Sequence, residues 1–327
     1  MMPDEIEILD KTAEAFLAAR GFPPVSEHRK LEAYWAALPW EFRDTCGWTL
    51  ETLRQGLRDY RAAEREGAAS LSVERLDVLP GRSKSGEPES FSLTFRPGDV
   101  TAIVGPTGSG KSRLLGDIEC LAQGDTPSGR VVLVDGGKPD RKTRFTAEGR
   151  LVAQITQNMN FVMDLEVETF LRLHAESRGS QTPDTAAADV LEAAVSMAGE
   201  AFTGKTPLTQ LSGGQSRALM IAGAALLSPK PIVLLDEIEN AGVDRARALA
   251  LFTDRGKIVL LSTHDPLTAL SGSRRIVIRN GGIAAILETT DEERGYAEVL
   301  LRREQRHNAL RNAMRSGTPL AQAWQEL

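Results

Sequence analysis

The stretch that decides the fold is Gly105–Ser112, with the sequence Gly-Pro-Thr-Gly-Ser-Gly-Lys-Ser. It matches the pattern G-x-x-x-x-G-K-[S/T], in which glycines let backbone N–H groups close around phosphate oxygens. Asp99–Val104 before it predicts a short buried strand, and Arg113–Ile118 after it predicts the opening of a helix. Because a helix N-terminus adds partial positive charge, this arrangement predicts a nucleotide-phosphate site. Lys111 is expected to reach the β- and γ-phosphates.

Composition places the chain among ordinary soluble globular proteins. Its 327 residues suffice for one or two domains, and 41% of them are hydrophobic and 26% charged. The net charge of −6 makes a nucleic-acid partner unlikely, and the acidic N-terminus argues against a secretory signal. The longest apolar run, Ala218–Leu227, is half the length needed to span a bilayer. We therefore expect a cytoplasmic protein, or one bound peripherally at the inner face of a membrane.

Hydrophobic patterns divide the chain into three parts. Residues 1–70 predict a helical N-terminal extension, with apolar residues at helical spacing before Gly21 and again in Thr49–Glu66. Residues 71–290 alternate strand and helix patterns and predict an α/β domain. Residues 291–327 begin acidic, become arginine-rich and predict a helical C-terminal tail.

Within residues 71–290, apolar runs and turn residues locate the individual elements. The predicted strands besides the one before Gly105 are Ser72–Val78, Ser90–Phe95, Val131–Val134 and Leu151–Ile155. The first two are predicted to pair antiparallel, and residues 164–203 are predicted to be mainly helical with a loop at Arg178–Thr185.

The two extensions each allow two interpretations. Trp35, Trp40 and Trp48 of the N-terminal part are typical either of a small helical core or of a docking surface for a partner. In the tail, Val299 and Met314 belong to a sparse apolar pattern. That pattern indicates a solvated helix packed on the domain edge, or a surface for an anionic partner or membrane.

Cysteines and isolated histidines carry no motif. Cys46 and Cys120 lie far apart without metal-ligand spacing, and we predict buried thiols. His28, His174 and His307 have no catalytic context and are predicted at the surface.

The second decisive stretch is Leu211–Gln215, with the sequence Leu-Ser-Gly-Gly-Gln. Ser212 and Gln215 have the spacing of a helix capping box. Two glycines in a first helical turn are unfavourable for the helix. They are explained if a phosphate comes close to that helix end.

Gly105–Ser112 and Leu211–Gln215 together resemble the motifs of the ATP-binding cassette (ABC) ATPases. Pro231–Glu237 resembles the Walker B strand, and Ser262–Asp265 resembles the switch-histidine loop. Both follow in the order that the family shows. Two further stretches complete the resemblance: Gln157 resembles the Q-loop glutamine, and residues 241–244 resemble the D-loop.

This resemblance implies an α/β P-loop fold of ABC type. Such a fold combines a RecA-like parallel sheet core, an antiparallel β subdomain and a helical subdomain, here at about residues 158–225, between helical N- and C-terminal extensions. The chain departs from the family at Ile238–Asn240, where many transporter ATPases have Pro-Thr. It also lacks an aromatic residue on the 72–79 strand, where the family stacks one on adenine.

The resemblance also implies ATP and Mg²⁺ as cofactors and assigns roles to residues. The implied catalytic residues are Glu237, which polarises the attacking water, His264, Gln157 and Lys111. The implied Mg²⁺ ligands are Ser112, Gln157 and Asp236. The implied nucleotide contacts are Gly105, Pro106, Thr107, Gly108, Ser109, Gly110, Lys111, Ser112, Arg113, Ser212, Gly213, Gly214, Gln215 and Asp244.

In the family the signature loop of one protomer closes the ATP bound to the other, so a homodimer or a pair with a related ABC chain is expected. We interpret the chain as an ATPase that drives conformational change in a soluble protein partner. The alternative is the nucleotide-binding subunit of a membrane transporter whose spanning subunits are separate chains. A chromosome-structure ATPase is disfavoured, because only about 100 residues separate Lys111 from Ser212, too few for a long coiled coil.

Overall fold

A computed structural model describes residues 9, 11–18, 20–24, 30–68, 72–146, 150–156, 161–236 and 243–325. The chain divides into two compact units, residues 1–71 and 72–327. Gln157, Glu237, Ile238–Asn240, His28 and residues 241–242 lie outside the described residues. Within the described part of the chain, no helix combines the length and apolarity that crossing a membrane requires.

The elements are numbered in chain order. The first unit contains α1 (Lys11–Ala18), α2 (Leu31–Ala37), α3 (Trp40–Thr45) and α4 (Leu50–Ala68). The strands of the second unit are β1 (Leu76–Leu79), β2 (Leu93–Phe95), β3 (Val100–Val104), β4 (Val131–Val134), β5 (Val152–Ile155), β6 (Ile232–Asp236), β7 (Ile258–Ser262), β8 (Arg274–Arg279) and β9 (Gly282–Glu288). Its helices are α5 (Lys111–Glu119), α6 (Arg141–Phe145), α7 (Val167–Ser177), α8 (Pro183–Met197), α9 (Gly213–Leu226), α10 (Arg245–Thr253), α11 (Pro266–Leu270), α12 (Asp291–Arg315) and α13 (Leu320–Gln325).

The first unit is built around buried aromatic and leucine side chains. The Phe22 ring contacts those of Trp35, Phe42 and Trp48, with centroids 5.4–6.5 Å apart. Edge-to-face pairs of this kind stabilise a small core beyond their buried area. Trp40, by contrast, is 67% exposed. Trp35 and Trp48 therefore belong to the core, whereas Trp40 lies on the surface.

A six-stranded sheet in the order β5-β6-β7-β3-β8-β9 forms the centre of the second unit. The neighbouring pairs β5–β6, β6–β7, β7–β3 and β3–β8 are parallel, whereas β9 pairs antiparallel with β8. Every residue of β7 and the first four of β6 are buried. Continuous apolar strands of this kind are typical of parallel sheets covered on both faces.

Helices α7, α8 and α9 cover one face of this sheet. Their side chains, such as Leu171, Val190 and Leu219, share a core with Val233 of β6 and Val259 of β7. Residues two apart on a strand point to the same face, which explains why Leu235 and Leu261 join the same cluster. The helical layer thus holds the strands whose ends carry the predicted site.

A second sheet of three antiparallel strands, β2-β1-β4, packs beside the first. Arg274 of β8 links the two. Its guanidinium donates to the carbonyl of Thr94, lies 3.2 Å from Thr101 Oγ1, and stands over the Phe95 ring at 5.0 Å from the centroid. A cation above an aromatic face is electrostatically favourable.

A buried ion cluster fixes the loops around Gly105–Ser112. The Arg130 side chain is fully buried and contacts Glu89 Oε1 at 2.5 Å and Asp117 Oδ2 at 2.8 Å. Its Nη2 also donates to the carbonyl of Gly281 at 2.9 Å. Burial by itself raises the pKa of Glu89, but hydrogen bonds from Arg130 and from the Gly81 amide lower that pKa below its ordinary value. Asp117 belongs to α5, so the cluster ties the P-loop helix to the β8–β9 turn.

Several sequence predictions need correction. β1 begins at Leu76 rather than Ser72, because Asp135, with φ +52°, turns the partner strand away, and the Arg75 amide donates to the Asp135 side-chain Oδ1 at 2.8 Å. β2 begins at Leu93 rather than Ser90, because the preceding segment turns Glu89 inward to Arg130. The predicted loop at residues 178–185 ends earlier than expected, since Pro183 starts α8, and proline is well suited to a first helical position.

The prediction of buried thiols was also wrong. Cys120 is exposed and Cys46 only partly buried. Cys120 follows the last turn of α5, where the chain leaves the helix at the surface.

The Arg130 cluster predicts a large loss of stability on removal of its cation. Arg130→Met keeps the apolar stem but leaves Glu89 and Asp117 buried without their partner. Breaking a buried pair in this way costs about 3–5 kcal/mol of unfolding free energy. Urea unfolding of Arg130→Met, beside Arg141→Met at an exposed position of α6, measures the difference. A loss equal to that of the control would show that the cluster does not hold the fold.

Candidate nucleotide-binding site

The parallel strands deliver the predicted site residues to one edge of the sheet. β3 leads into Gly105, β6 ends at Asp236, and β7 ends at Ser262. The amide of Thr263 donates to the Ile103 carbonyl at 3.2 Å, which holds the end of β7 beside that of β3. Ligands of parallel α/β sheets bind at this carboxyl edge.

The loop between β3 and α5 depends on one close backbone contact. Gly110, the N-cap of α5, has φ +105°, a conformation that favours glycine. A Cβ on Gly110 would stand 2.6 Å from the Cα of Gly281 in the β8–β9 turn. The Gly281 amide in turn donates to the Ser109 carbonyl at 2.6 Å. The β8–β9 turn therefore packs directly against the loop, and this close contact requires glycine at position 110.

The loop opens into a cavity of about 380 Å³. Its lining consists of Lys84, Thr107, Gly108, Ser109, Gly110, Lys111, Ser112, Arg113, Asp236 and Ser262. Lys111 Nζ donates to the Gly105 carbonyl at 2.8 Å. The Ser109 hydroxyl is buried and has no hydrogen-bond partner within the described part of the chain. Backbone amides at a helix N-terminus and several cations suit a polyphosphate.

Lys84 is a lining residue that the sequence motifs do not indicate. It lies in the loop between β1 and β2, and its Nζ donates to the Gly108 carbonyl at 2.8 Å. Its amide donates to the Asn280 carbonyl at 2.7 Å, which anchors the lysine to the β8–β9 turn. The only signal in the sequence is a lysine in a polar loop, which is usually solvated.

The cavity also offers hard oxygen donors. Ser112, Asp236 and Ser262 line it together. Mg²⁺ is typically held by one or two protein oxygens together with phosphate oxygens and water, so this donor set fits the ion. The described residues contain no cluster of three or more His, Cys, Asp or Glu side chains that could hold a metal.

The predicted capping box is present at the start of α9. Gln215 N donates to Ser212 Oγ at 3.3 Å, and Ser212 N donates to Gln215 Oε1 at 2.8 Å. Ser212 and Gly213 are exposed, whereas Gly214 and Gln215 are partly buried. These residues do not line the cavity that contains Lys111. The structure thus separates the two glycine motifs within one chain.

His264 and Asp244 also lie outside the lining of that cavity. His264 follows β7 and is exposed. Asp244 caps α10 by accepting a hydrogen bond from the Arg247 amide at 3.2 Å. Gln157 and Glu237 belong to the residues that the structure does not describe.

A groove of about 240 Å³ opens beside the carboxyl end of β5. Apolar side chains of the segment after β5, α7 and α9 line it, among them Phe161, Phe170 and Met220. His174 and Lys230 add basic groups, and burial followed by the charge of Arg178 lowers the pKa of both. The prediction of a surface position was therefore wrong for His174, which is partly buried in this groove.

Comparison with known proteins gives consistent matches. The family model described as "ABC transporter" matches residues 89–240. An uncharacterized ABC transporter ATP-binding protein of Methanocaldococcus jannaschii is 45% identical over 251 residues, which cover 76% of this chain and 96% of that protein. The thiamine import ATP-binding protein ThiQ of Chelativorans sp. is 32% identical, over 65% of this chain and 86% of that protein.

A solved structure shares the fold. A dimeric bacterial ABC transporter cassette superposes with a TM-score of 0.51 at 24% identity, covering 66% of this chain and 99% of that one. The mixed sheet with its parallel strands and the surrounding helices agree with the ABC-type P-loop fold. The chain therefore belongs to the ABC transporter ATP-binding protein family, and it is an ABC-type ATP hydrolase.

Proposed function

We propose that the cavity lined by the Gly105–Ser112 loop binds the phosphates of Mg-ATP. Lys111, Lys84 and the amides of the loop would neutralise the phosphate charge. Ser112 and Asp236 would hold Mg²⁺, which supplies further charge neutralisation when bound. Glu237, which follows Asp236 in the sequence, would polarise the attacking water, and His264 would contact the γ-phosphate.

The completed site requires two chains in this proposal. Ser212 and Gly213 are exposed at the N-terminus of α9 and do not line the cavity of their own chain. An exposed capped helix end with two glycines is suited to approach a phosphate presented by another molecule. We place it over the nucleotide of the partner subunit in a head-to-tail dimer of this chain or with a related ABC chain.

The partner that this ATPase drives is, in our proposal, a membrane-spanning transporter subunit encoded as a separate chain. The groove beside β5 carries this proposal. Its apolar walls, with Phe161 and Phe170 in contact at 5.1 Å between centroids, suit one face of a short amphipathic helix. Val162, beside Phe161 in the same segment, is 92% exposed. The chain matches 96% of the length of a relative that is named an ABC transporter ATP-binding protein, and this match favours a transporter subunit over a soluble partner.

The basic groups of the groove define the chemistry of the docking segment. Arg178 and Lys230 line the groove together with the apolar residues of α7 and α9. An acidic side chain on the docking helix would offset the charge of these two residues, and its apolar residues would contact Phe170 and Met220. Interfaces of this kind combine an apolar centre with charge complementarity at the rim.

Lys84 provides a test of the phosphate site. Lys84→Ala removes a cation beside the loop together with its hydrogen bond to the Gly108 carbonyl, and it leaves the loop sequence unchanged. Because the side chain is exposed, we expect a modest weakening of Mg-ATP binding, about three- to tenfold in Kd. Isothermal titration of Lys84→Ala, beside Lys138→Ala at an exposed position outside the cavity, measures it. Equal Kd values for the two variants would show that Lys84 does not contribute to Mg-ATP binding.

Glu237→Gln tests the two-chain site. The substitution keeps the size of the side chain but removes the charge that polarises water, so hydrolysis should fall by about 10²–10⁴. ATP should then remain bound, and light scattering during size-exclusion chromatography should detect a dimer with Mg-ATP but not with ADP. Adding Ser212→Arg should abolish that dimer. A Glu237→Gln protein that stays monomeric at saturating Mg-ATP would contradict the head-to-tail arrangement.

Gly223 of α9 offers a position from which a side chain can enter the groove. A Cβ on Gly223 meets no atom within 4 Å outside its own helix backbone and chain neighbours, so Gly223→Leu should project into the groove while retaining the helix. The tagged chain, expressed in its host of origin, should co-purify after detergent extraction with a polytopic membrane protein identified by mass spectrometry. Gly223→Leu should lose that protein, and Gly295→Leu, on open space of α12, should keep it. If every captured protein lacks membrane spans, the result would contradict the transporter proposal and favour a soluble partner.

A further inference from the structure

The side chain of Arg245 joins three segments that lie far apart in the sequence. Its Nη1 donates to Asp265 Oδ2 at 2.8 Å and to Thr268 Oγ1 at 2.8 Å. Its Nη2 donates to both carboxylate oxygens of Glu304. The Arg245 side chain is 14% exposed, and those of Asp265 and Glu304 are 31% and 37% exposed. The ion pairs are thus partly shielded from solvent, where they act more strongly than at a free surface.

On one side, Arg245 holds the segment that carries His264. Asp265, the next residue, caps α11 by accepting hydrogen bonds from the Thr268 amide and hydroxyl, both at 2.8 Å. Its own amide donates to Thr263 Oγ1 at 3.0 Å. His264 therefore lies between two residues whose polar groups are fixed, and Arg245 completes the fixation of Asp265.

On the other side, Arg245 directly follows Asp244. The amide of Asp244 donates to the Met197 carbonyl at 2.9 Å, and Val243 forms a bridge with Ala198. Arg247 continues the turn by donating from Nη1 to the Ser196 carbonyl at 2.7 Å. One guanidinium therefore connects the segment that ends at Asp244 with the segment that contains His264.

Glu304 brings the C-terminal helix into this arrangement. It lies in α12, which a second ion pair, Glu293 with Arg275 at 2.5 Å, also attaches to the domain. Glu293 binds Arg275 of β8, whereas Glu304 binds Arg245 at the start of α10. We propose that Glu304 is a positioning residue for ATP hydrolysis: through Arg245 it sets the relative placement of the Asp244 and His264 segments.

The geometry of the guanidinium explains why Arg245 and Glu304 are expected to act together. A guanidinium presents its donors in one rigid plane, so occupying Nη2 with Glu304 fixes the direction of Nη1 toward Asp265. Without Glu304, the guanidinium is held only at Nη1, by Asp265 and Thr268, so its plane can tilt about that end. A lysine at position 245 has a single ammonium group and cannot reproduce the planar bridge. Removing either partner should therefore affect the same step.

The proposal predicts a selective effect on turnover. Glu304→Ala should lower kcat by about two- to fivefold, the fold-change that corresponds to the upper part of the range for an exposed ion pair. The KM for Mg-ATP should stay within about twofold of wild type, since the P-loop cavity is untouched. Glu298→Ala, at an exposed position of the same helix, serves as the matched control and should retain the wild-type kcat. Steady-state ATPase assays on the full chain measure all three proteins.

A double-substitution cycle separates positioning from general destabilisation. Arg245→Lys should lower kcat at least as much as Glu304→Ala, because it also disturbs the contacts with Asp265 and Thr268. The double variant should be no slower than Arg245→Lys alone, because Glu304 acts through Arg245. Thermal midpoints of all variants are measured alongside. Additive losses of kcat, a wild-type or raised kcat in Glu304→Ala, or a fall in kcat that follows the thermal midpoint would each overturn the proposal.

Discussion

The buried guanidinium of Arg130 is the contact on which the nucleotide cavity depends. It meets Glu89 from the loop before β2 and Asp117 from α5, and donates to Gly281 in the β8–β9 turn. Apolar side chains in place of all three charged groups could fill the same space with similar stability. They could not, however, replace the Glu89 carboxylate, which accepts hydrogen bonds from the amides of Gly81 and Ile283. The charge therefore fixes the relative position of three segments that sterics alone would leave free.

That fixed position determines the shape of the phosphate loop. The turn held by Arg130 contains Gly281, whose amide binds the Ser109 carbonyl and whose Cα leaves no room for a side chain on Gly110. The loop amides at the start of α5 are consequently oriented by protein contacts rather than by a ligand. Orientation before binding reduces the ordering that association would otherwise require. Lys84, attached through its amide to Asn280 of the same turn, adds a positive charge to this prearranged site.

Local patterns in the sequence were sufficient for the features that depend on neighbouring residues. The P-loop, the capping box of Ser212 and Gln215, and the apolar strands β6 and β7 all have short-range signals, and the structure shows each of them. Features built from distant residues had no such signal. Arg130 and Glu89 are 41 residues apart, and Arg245 and Glu304 are 59 apart. Each is an ordinary charged residue in its own segment, and only the fold brings the partners together.

Strand boundaries failed for a related reason. The apolar pattern of residues 72–78 continues past the point where pairing stops, because pairing is decided by the partner strand. Asp135, with φ +52°, turns the chain after β4, so no strand remains opposite residues before Leu76. The exposure of Cys120 likewise depends on where α5 ends relative to the surface, which its neighbours in sequence do not specify.

The groove and the Arg245 contacts both lie outside the cavity. The groove lies where β5 ends and Arg245 lies where α10 begins, and neither the groove residues nor Arg245 line the cavity. In our proposals, a change at either place would shift loops whose residues act during hydrolysis, while Arg130 and Gly281 would hold the phosphate loop. Interactions made only in the transition state change kcat, whereas those shared with the ground state change KM. Under these proposals the domain would alter its rate of hydrolysis in response to a partner without releasing its nucleotide.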